Sequence, residues 1–247
     1  MKSAMVRIGD FLFKWRNLVF PAVIVTAMIA VPPSDTFFGR QDLEPLRDVL
    51  AIFVMLAGLV LRSAVIGFVY IKRGGRKKKV YAADLVTTGM FGVCRNPLYV
   101  GNLLIYAGIG IMHGNPWVLL GGLLLFAFMY QAIVLAEEHF LQDKFGDAYR
   151  AYCADVPRWG LRWSRFREAT AGMRFDLGKA LLVDYNPILN GVFILSAIEL
   201  YEQLTYYPAA RNGMVWWLVG LMVLALIASG LVHYYKRHWR VAAPKQA

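Results

Sequence analysis

Between residues 49 and 71 the chain carries one charged side chain, Arg62, in a run otherwise made of aliphatic, small and aromatic residues. A run of that length crosses a hydrocarbon layer of ~30 Å as a helix, because within lipid every backbone amide must find its partner inside the segment. Five more apolar runs cover residues 17–31, 97–112, 116–136, 187–207 and 214–235. Hydrophobic residues make up 58% of the chain and the mean hydropathy is +0.47, more apolar than a soluble domain. The predicted fold class is all-α: a polytopic transmembrane helix bundle of about six spans, one membrane domain over residues 1–247.

The net charge of +11 has two readings. Nucleic-acid binding is one, but the distribution of the charge favours topology, and no nucleic-acid partner is expected. All but four of the 27 Lys and Arg fall in residues 1–16, 72–96, 137–187 and 236–247, which alternate with the apolar runs. The exceptions are Arg40, Arg47, Arg62 and Arg211. Basic residues gather on the cytoplasmic side of a membrane protein, so both termini are predicted to be cytoplasmic. Cys94 and Cys153 fall in segments assigned to that side, where thiols stay reduced. They share no Cys-x-x-Cys spacing, the four histidines are scattered, and no metal site is expected.

Residues 1–16 interleave Lys2, Arg7, Lys14 and Arg16 with Phe11, Phe13 and Trp15, as an interfacial amphipathic helix or an aromatic belt would. No Ala-x-Ala-like cleavage site follows the first apolar run, which is read as a retained helix ended by Pro32-Pro33. The loop to Asp48 leans acidic and is placed outside. Arg62 must face protein or water: it contacts a polar substrate or cofactor group, or it pairs with a carboxylate inside the bundle. The cluster Lys72, Arg73, Arg76, Lys77, Lys78 and Lys79 sets topology, or attracts anionic headgroups. His113-Gly114-Asn115-Pro116 is a tight turn, so the runs on either side are antiparallel neighbours. Arg95 and Glu137-Glu138 therefore come to the same membrane face.

Four motifs carry candidate chemistry. In Arg95-Asn96-Pro97-Leu98-Tyr99, proline at a first helical position makes Asn96 the expected N-cap. A helix start favours anions and Arg95 adds a fork for carboxylate or phosphate; a capped helix with a topogenic arginine is the plainer alternative. Gly108-Ile109-Gly110 permits close approach of a flat ligand or of another helix. Glu137-Glu138 is a carboxylate pair at the membrane border, relieved by a cationic ligand or simply hydrated. Phe145-Gly146-x-x-Tyr149-x-x-Tyr152, followed by Val156-Pro157-Arg158-Trp159, sets aromatic residues on one helix face, as a pocket wall or as an interfacial belt.

The set in this order resembles the integral-membrane methyltransferases that include isoprenylcysteine carboxyl methyltransferase and the phospholipid N-methyltransferases. Their pattern is Arg-His-Pro-x-Tyr-x-Gly, a Gly-x-Gly on the same helix, Glu-Glu after the next, and then Phe-Gly-x-x-Tyr-x-x-Tyr. The resemblance covers residues 50–165, leaving 166–247 as an added cytoplasmic segment and two C-terminal spans. Asn96 stands where the family has histidine; it holds hydrogen bonds but cannot act as a base near neutrality.

The resemblance implies S-adenosylmethionine as cofactor, bound from the cytoplasm by Arg95, Asn96, Tyr99, Gly108, Gly110, Glu137, Glu138, Tyr149 and Tyr152, with Arg95 and Glu138 at the catalytic centre. It implies an amphiphilic methyl acceptor, a lipid amine or an isoprenylcysteine-type carboxylate. Transfer of a methyl group from a sulfonium is an in-line displacement governed by alignment, so the lack of an evident base is no obstacle. Two alternatives stand beside it: an NADPH-dependent membrane reductase of the sterol-reductase type, which needs a 2′-phosphate site for which the Lys72–Lys79 cluster could be mistaken, and a non-enzymatic membrane scaffold. A bacterial inner membrane is the expected location.

Overall fold

The computed structural model describes residues 2–68, 82, 84–207 and 211–238. The Lys72–Lys79 cluster, Arg240 and Lys245 lie outside the described residues. Helices α1 (Lys2–Ala30), α2 (Glu44–Phe68), α3 (Pro97–Met112), α4 (Pro116–Asp155), α5 (Phe166–Ala169), α6 (Leu177–Thr205) and α7 (Arg211–His238) account for nearly all regular structure. The described residues contain no strand beyond an isolated bridge between Phe37 and Arg40. The chain is an all-α membrane-helix bundle.

Five helices, α1, α2, α4, α6 and α7, are long and apolar enough to cross a membrane. The sixth expected span, α3, has 16 residues. At 1.5 Å per residue it reaches about 24 Å, short of a full hydrocarbon core. It is set within the protein instead, against α2, α4 and α6. Its entry is the short 3₁₀ turn Gly89–Gly92, buried under α2 by Met90 and Val93.

Three boundaries differ from the hydropathy reading, each for a physical reason. Residues 2–16 form no separate interfacial helix but continue into the first span. Gly9 makes this possible: a Cβ there would lie 2.0 Å from the Ala132 carbonyl oxygen, so α1 rests backbone to backbone on α4. The second span of the tight pair does not end at residue 136; α4 runs on to Asp155, with a break at Gly146. Helix α6 starts ten residues before Pro187, at Leu177, and accommodates that proline by leaving helical geometry at Asp184 (φ −105°, ψ 15°). Proline removes a backbone donor and crowds the preceding turn, which bends the helix.

The core falls into joined clusters. Leu12, Phe13 and Phe20 of α1 pack on Phe126, Met129, Tyr130 and Ile133 of α4. Met55 and Leu59 of α2, Ile105 and Ile109 of α3, and Leu195 and Ile198 of α6 form the second. The exposed side chains of α4 and α7 are largely apolar, among them Leu124, Trp216, Trp217, Leu224 and Leu231. This outward apolar surface suits lipid, where helices are held together by close packing and internal polar bonds rather than by hydrophobic contrast.

Both kinds of contact join α2 to α3. An added Cβ would meet the Gly101 carbonyl from Gly58 at 2.6 Å and the Ala51 carbonyl from Gly108 at 2.7 Å. Arg62 takes the second of its two expected roles. Its Nε donates to Asp184 Oδ2 at 2.8 Å, its Nη2 also bonds Asp184 Oδ1, and its Nη1 donates to Asn102 Oδ1 at 2.5 Å. Gly101 leaves room for the arginine stem, since a Cβ there would come 2.6 Å from Arg62 Cγ.

Gly108→Val would press a branched side chain into the backbone of α2. Overpacking of this kind destabilises by ~1–3 kcal/mol. Gly108→Val is therefore expected to lower the thermal midpoint in detergent by several degrees, while Gly121→Val, where nothing lies within 4 Å, leaves it nearly unchanged. Equal midpoints would show that the α2–α3 contact is not tight.

Candidate active site

The tight turn at residues 113–116 returns α4 alongside α3, and their far ends meet as the spacing requires. Arg95, just before α3, places Nη1 3.1 Å from Glu138 Oε1. Glu138 also receives both arms of Arg158, from Nε at 2.9 Å and from Nη2 at 2.7 Å. One carboxylate is thus gripped by two guanidinium groups, the charge-assisted bidentate geometry that arginine favours. The same bond to Glu138 raises the Arg158 pKa above its ordinary value.

Glu137 points to a different partner. Its Oε1 accepts from the Tyr99 hydroxyl at 2.9 Å, and Arg16 of α1 lies close to both. The Tyr99 ring stacks on Tyr130 with centroids 4.8 Å apart. The Tyr130 hydroxyl accepts from Asn102 Nδ2 at 2.8 Å, and Asn102 is held by Arg62. A polar chain therefore runs from Asp184 through Arg62 and Asn102 to Tyr130, behind the wall formed by Tyr99.

The bend in α4 completes the site. Gly146 has φ 53° and ψ −121°, a conformation that side-chain-bearing residues adopt only with strain. It turns the last part of α4 back toward the start of α3. Cys153 Sγ accepts from Arg95 Nη1 at 2.7 Å, and the Tyr152 hydroxyl donates to the Phe91 carbonyl at 2.8 Å. Tyr149 is buried, its ring 6.0 Å from that of Tyr152. Beyond α4 the chain crosses under α3: Arg95 N–H donates to the Pro157 carbonyl at 2.9 Å and Arg162 N–H to the Val93 carbonyl at 3.1 Å. Trp159 packs against the α1–α4 core and donates from Nε1 to Gln131 Oε1 at 3.0 Å.

Asn96 occupies the N-cap position without capping. Its side chain makes no cap bond; its Nδ2 donates to the Arg158 carbonyl at 3.1 Å. The first amides of α3 are left without a side-chain cap, and Arg95 Nε is buried without a hydrogen-bond partner among the described residues. A buried orphan donor is unfavourable by ~1–3 kcal/mol. The site thus holds one unspent donor, Arg95 Nε, suited to an acceptor such as a carboxylate.

The structure gathers Arg95, Asn96, Tyr99, Glu137, Glu138, Tyr149 and Tyr152 at one end of the bundle. Gly108 and Gly110 are elsewhere. They lie more than ten residues along α3, about 16 Å at the helical rise, where Gly108 faces the α2 backbone and Gly110 faces Leu119 of α4. Their lack of side chains serves helix contact. Arg158 and Cys153 are site residues that spacing alone did not single out. The signal for Arg158 was its place between Pro157 and Trp159, in a segment already marked as a pocket wall.

Residues 47–148 match the phospholipid methyltransferase family. The match runs from the start of α2 to the bend in α4 and includes Arg95, Tyr99, Glu137 and Glu138. The chain is also similar to the nickel-cobalt-cadmium resistance protein NccN of Alcaligenes xylosoxydans xylosoxydans, 32% identical over 135 residues, which cover 54% of this chain and 61% of that protein. The cobalt-zinc-cadmium resistance protein CzcN of Cupriavidus metallidurans is 32% identical over 136 residues, 50% of this chain and 61% of the relative. An uncharacterized protein of Haemophilus influenzae is 36% identical over 62 residues, 98% of its own length and 25% of this chain. The chain thus spans about three fifths of the length of the two resistance proteins. No solved structure matches it.

Two outcomes test the local geometry. Gly146→Ala adds a Cβ that meets nothing within 4 Å, so its whole effect is backbone strain of ~1–3 kcal/mol. It should lower the thermal midpoint and loosen the Cys153–Arg95 contact, read as faster alkylation of Cys153. An unchanged midpoint and alkylation rate would mean that the bend is not needed. Cys94 is fully buried and burial pushes its thiol pKa up, so at pH 8 less of it is thiolate than for an exposed cysteine. Native protein treated with iodoacetamide should show Cys94 unmodified by peptide mass mapping, and denatured protein should show it alkylated.

Proposed function

We propose that this chain, whose residues 47–148 match the phospholipid methyltransferase family, is an S-adenosylmethionine-dependent methyltransferase with an amphiphilic acceptor in the membrane. The observation that carries the reading is the doubly gripped Glu138 beside the orphan donor of Arg95, at the uncapped start of α3. A zwitterionic amino-acid end fits this set. The Arg95 fork takes a carboxylate. Glu137 and Glu138 take an ammonium or ribose hydroxyls.

When bound, S-adenosylmethionine supplies an electrophilic methyl group on a sulfonium. The residues of this chain align and enclose. Arg95 orients the carboxylate end, and releases Glu138 in part as it does so, while Arg158 keeps its bidentate hold. Tyr99 fixes Glu137 on one side, and Tyr149 and Tyr152 close the site from the turned-back end of α4. Asn96, in the family's histidine position, holds the Arg158 carbonyl and serves as a positioning residue. A carboxylate acceptor needs no base and an amine acceptor must only arrive neutral, so no titrating group at residue 96 is required.

The concentration of arginine around this end, with Arg95, Arg158, Arg162 and Arg165, supports a site on the cytoplasmic face under the positive-inside rule. Two of the relatives are bacterial proteins named for resistance to nickel, cobalt and cadmium and to cobalt, zinc and cadmium. We carry that setting over as part of the proposal: the acceptor is a component of a bacterial inner membrane exposed to toxic divalent metals.

The test is cofactor binding by the purified full chain in detergent, with S-adenosylmethionine, its demethylated product and NADPH titrated in parallel. Saturable binding of the first two is expected, weakened about tenfold or more, or ~1.4 kcal/mol, by Arg95→Ala and by Glu137→Ala. Absence of donor binding by the wild type, or indifference to both substitutions, overturns the reading. Binding of NADPH alone turns it toward a reductase.

A further inference from the structure

At the opposite end of the bundle from Glu138, three carboxylates converge from two helices. Glu44 and Asp48 are one turn apart at the start of α2, Glu199 lies in α6, and one oxygen from each lies within 4.8 Å of the other two. All three are partly buried. Gln203 Nε2 donates to Glu199 Oε1 at 2.9 Å, while Glu199 Oε2 is buried and accepts from no described residue.

A second observation comes from Glu202, one turn farther along α6 and 0% exposed. Arg47 Nη2 lies 2.7 Å from Glu202 Oε2 and 2.8 Å from Asp48 Oδ1, so the Glu202 carboxylate adjoins the cluster. Its other oxygen, Oε1, is buried with no hydrogen-bond partner among the described residues. Of the four carboxylates, Asp48 and Glu202 share one guanidinium, and one oxygen each of Glu199 and Glu202 is withdrawn from water without a donor. Like charges so close repel strongly in a partly desolvated site, and a buried acceptor without a donor is unfavourable. A cation answers both deficits.

We propose that Glu44, Asp48 and Glu199 bind a divalent cation, with the buried Glu202 adding charge behind them. The donors are all oxygens, with no imidazole or thiolate in the cluster, which selects a hard ion over a soft one. Oxygens as far as 4.8 Å apart sit across an ion with bonds of ~2.4 Å, the calcium distance; magnesium, at ~2.1 Å, requires them to close up. Waters complete the shell. The ion ties the start of α2 to α6 and is independent of the methyl-donor site, since Asp48 and Arg62 are fourteen residues, about 21 Å, apart along α2.

The experiment uses the full chain in a non-ionic detergent, stripped with EDTA. Calcium is titrated by equilibrium dialysis, with manganese as a spectroscopic substitute. One equivalent should bind below about 1 mM, the range of the weaker oxygen sites, and should raise the thermal midpoint. Glu199→Gln and Glu44→Gln, which keep the side-chain shape, should each weaken binding about tenfold or more, and Asp147→Asn at a remote exposed position should not. No saturable binding of either ion by the wild type overturns the proposal, as does binding that Glu44→Gln and Glu199→Gln leave unchanged. Should the variants fail to fold, the wild-type stoichiometry alone decides. Because neither ion competes with S-adenosylmethionine at Arg95, failure here leaves the reading of that site untouched.

Discussion

A guanidinium inside an apolar bundle must be matched, and the match made by Arg62 holds three helices at once. It starts in α2, grips Asp184 of α6 with two arms and Asn102 of α3 with a third. Removing one partner of such a pair leaves an uncompensated charge, a far larger penalty than the pair's net contribution. The arrangement specifies how the helices sit against one another more than it adds stability. It also depends on glycine. The arginine stem passes over Gly101, and the same face of α3 meets Gly58 and Ala51 of α2 backbone to backbone. The short α3 is thereby fixed in height, which sets where Arg95 emerges relative to Glu138.

The site at that end is built from chain crossings as much as from side chains. Arg95, Asn96 and Cys94 all bond to the segment after α4, at the carbonyls of Pro157 and Arg158. This segment can reach them because Gly146 turns α4 back. Glu138 is then held by one arginine from each side of the crossing. A ligand carboxylate that draws on Arg95 competes with Glu138 for that arginine, and Arg158 retains the displaced charge. Ligand entry can proceed without stranding an unpaired carboxylate, which lowers the desolvation penalty of binding.

Hydropathy made the helices legible, since a run such as residues 116–136 has no other stable form in lipid. The turn at His113 to Pro116 was enough to bring Arg95 and Glu138 to one end. Boundaries were less legible where breakers were tolerated. Pro187 bends α6 at Asp184 without ending it, because the helix continues to pack on α2 and α7. Roles were least legible where a residue type serves two purposes. Gly108 fits a ligand groove or a helix contact equally well on paper, and only the neighbouring carbonyl of Ala51 decides it. Asn96 in sequence is a cap, but a competing acceptor, the Arg158 carbonyl, lies 62 residues away and takes its amide. The carboxylate cluster was invisible for the same reason, as Glu44 and Glu199 are joined only by the fold.

The two ends of the bundle solve opposite electrostatic problems with the same helices. At one end arginines outnumber the carboxylates they grip; at the other, Arg47 pairs with Asp48 and Glu202 beside the further carboxylates Glu44 and Glu199. Both α2 and α6 belong to each arrangement. Helix α2 carries Glu44, Arg47 and Asp48 at its start and Arg62 near its finish, and α6 carries Asp184 near its start and Glu199 and Glu202 near its finish. These helices are therefore pinned by charge at two heights, with aliphatic contacts of Met55, Leu59, Leu195 and Ile198 between. A pair pinned twice resists sliding and rotation, so α3, packed in the groove it forms, keeps its register. The proposed methyl transfer would draw on that rigidity, because alignment of donor and acceptor is what an enzyme contributes to such a displacement.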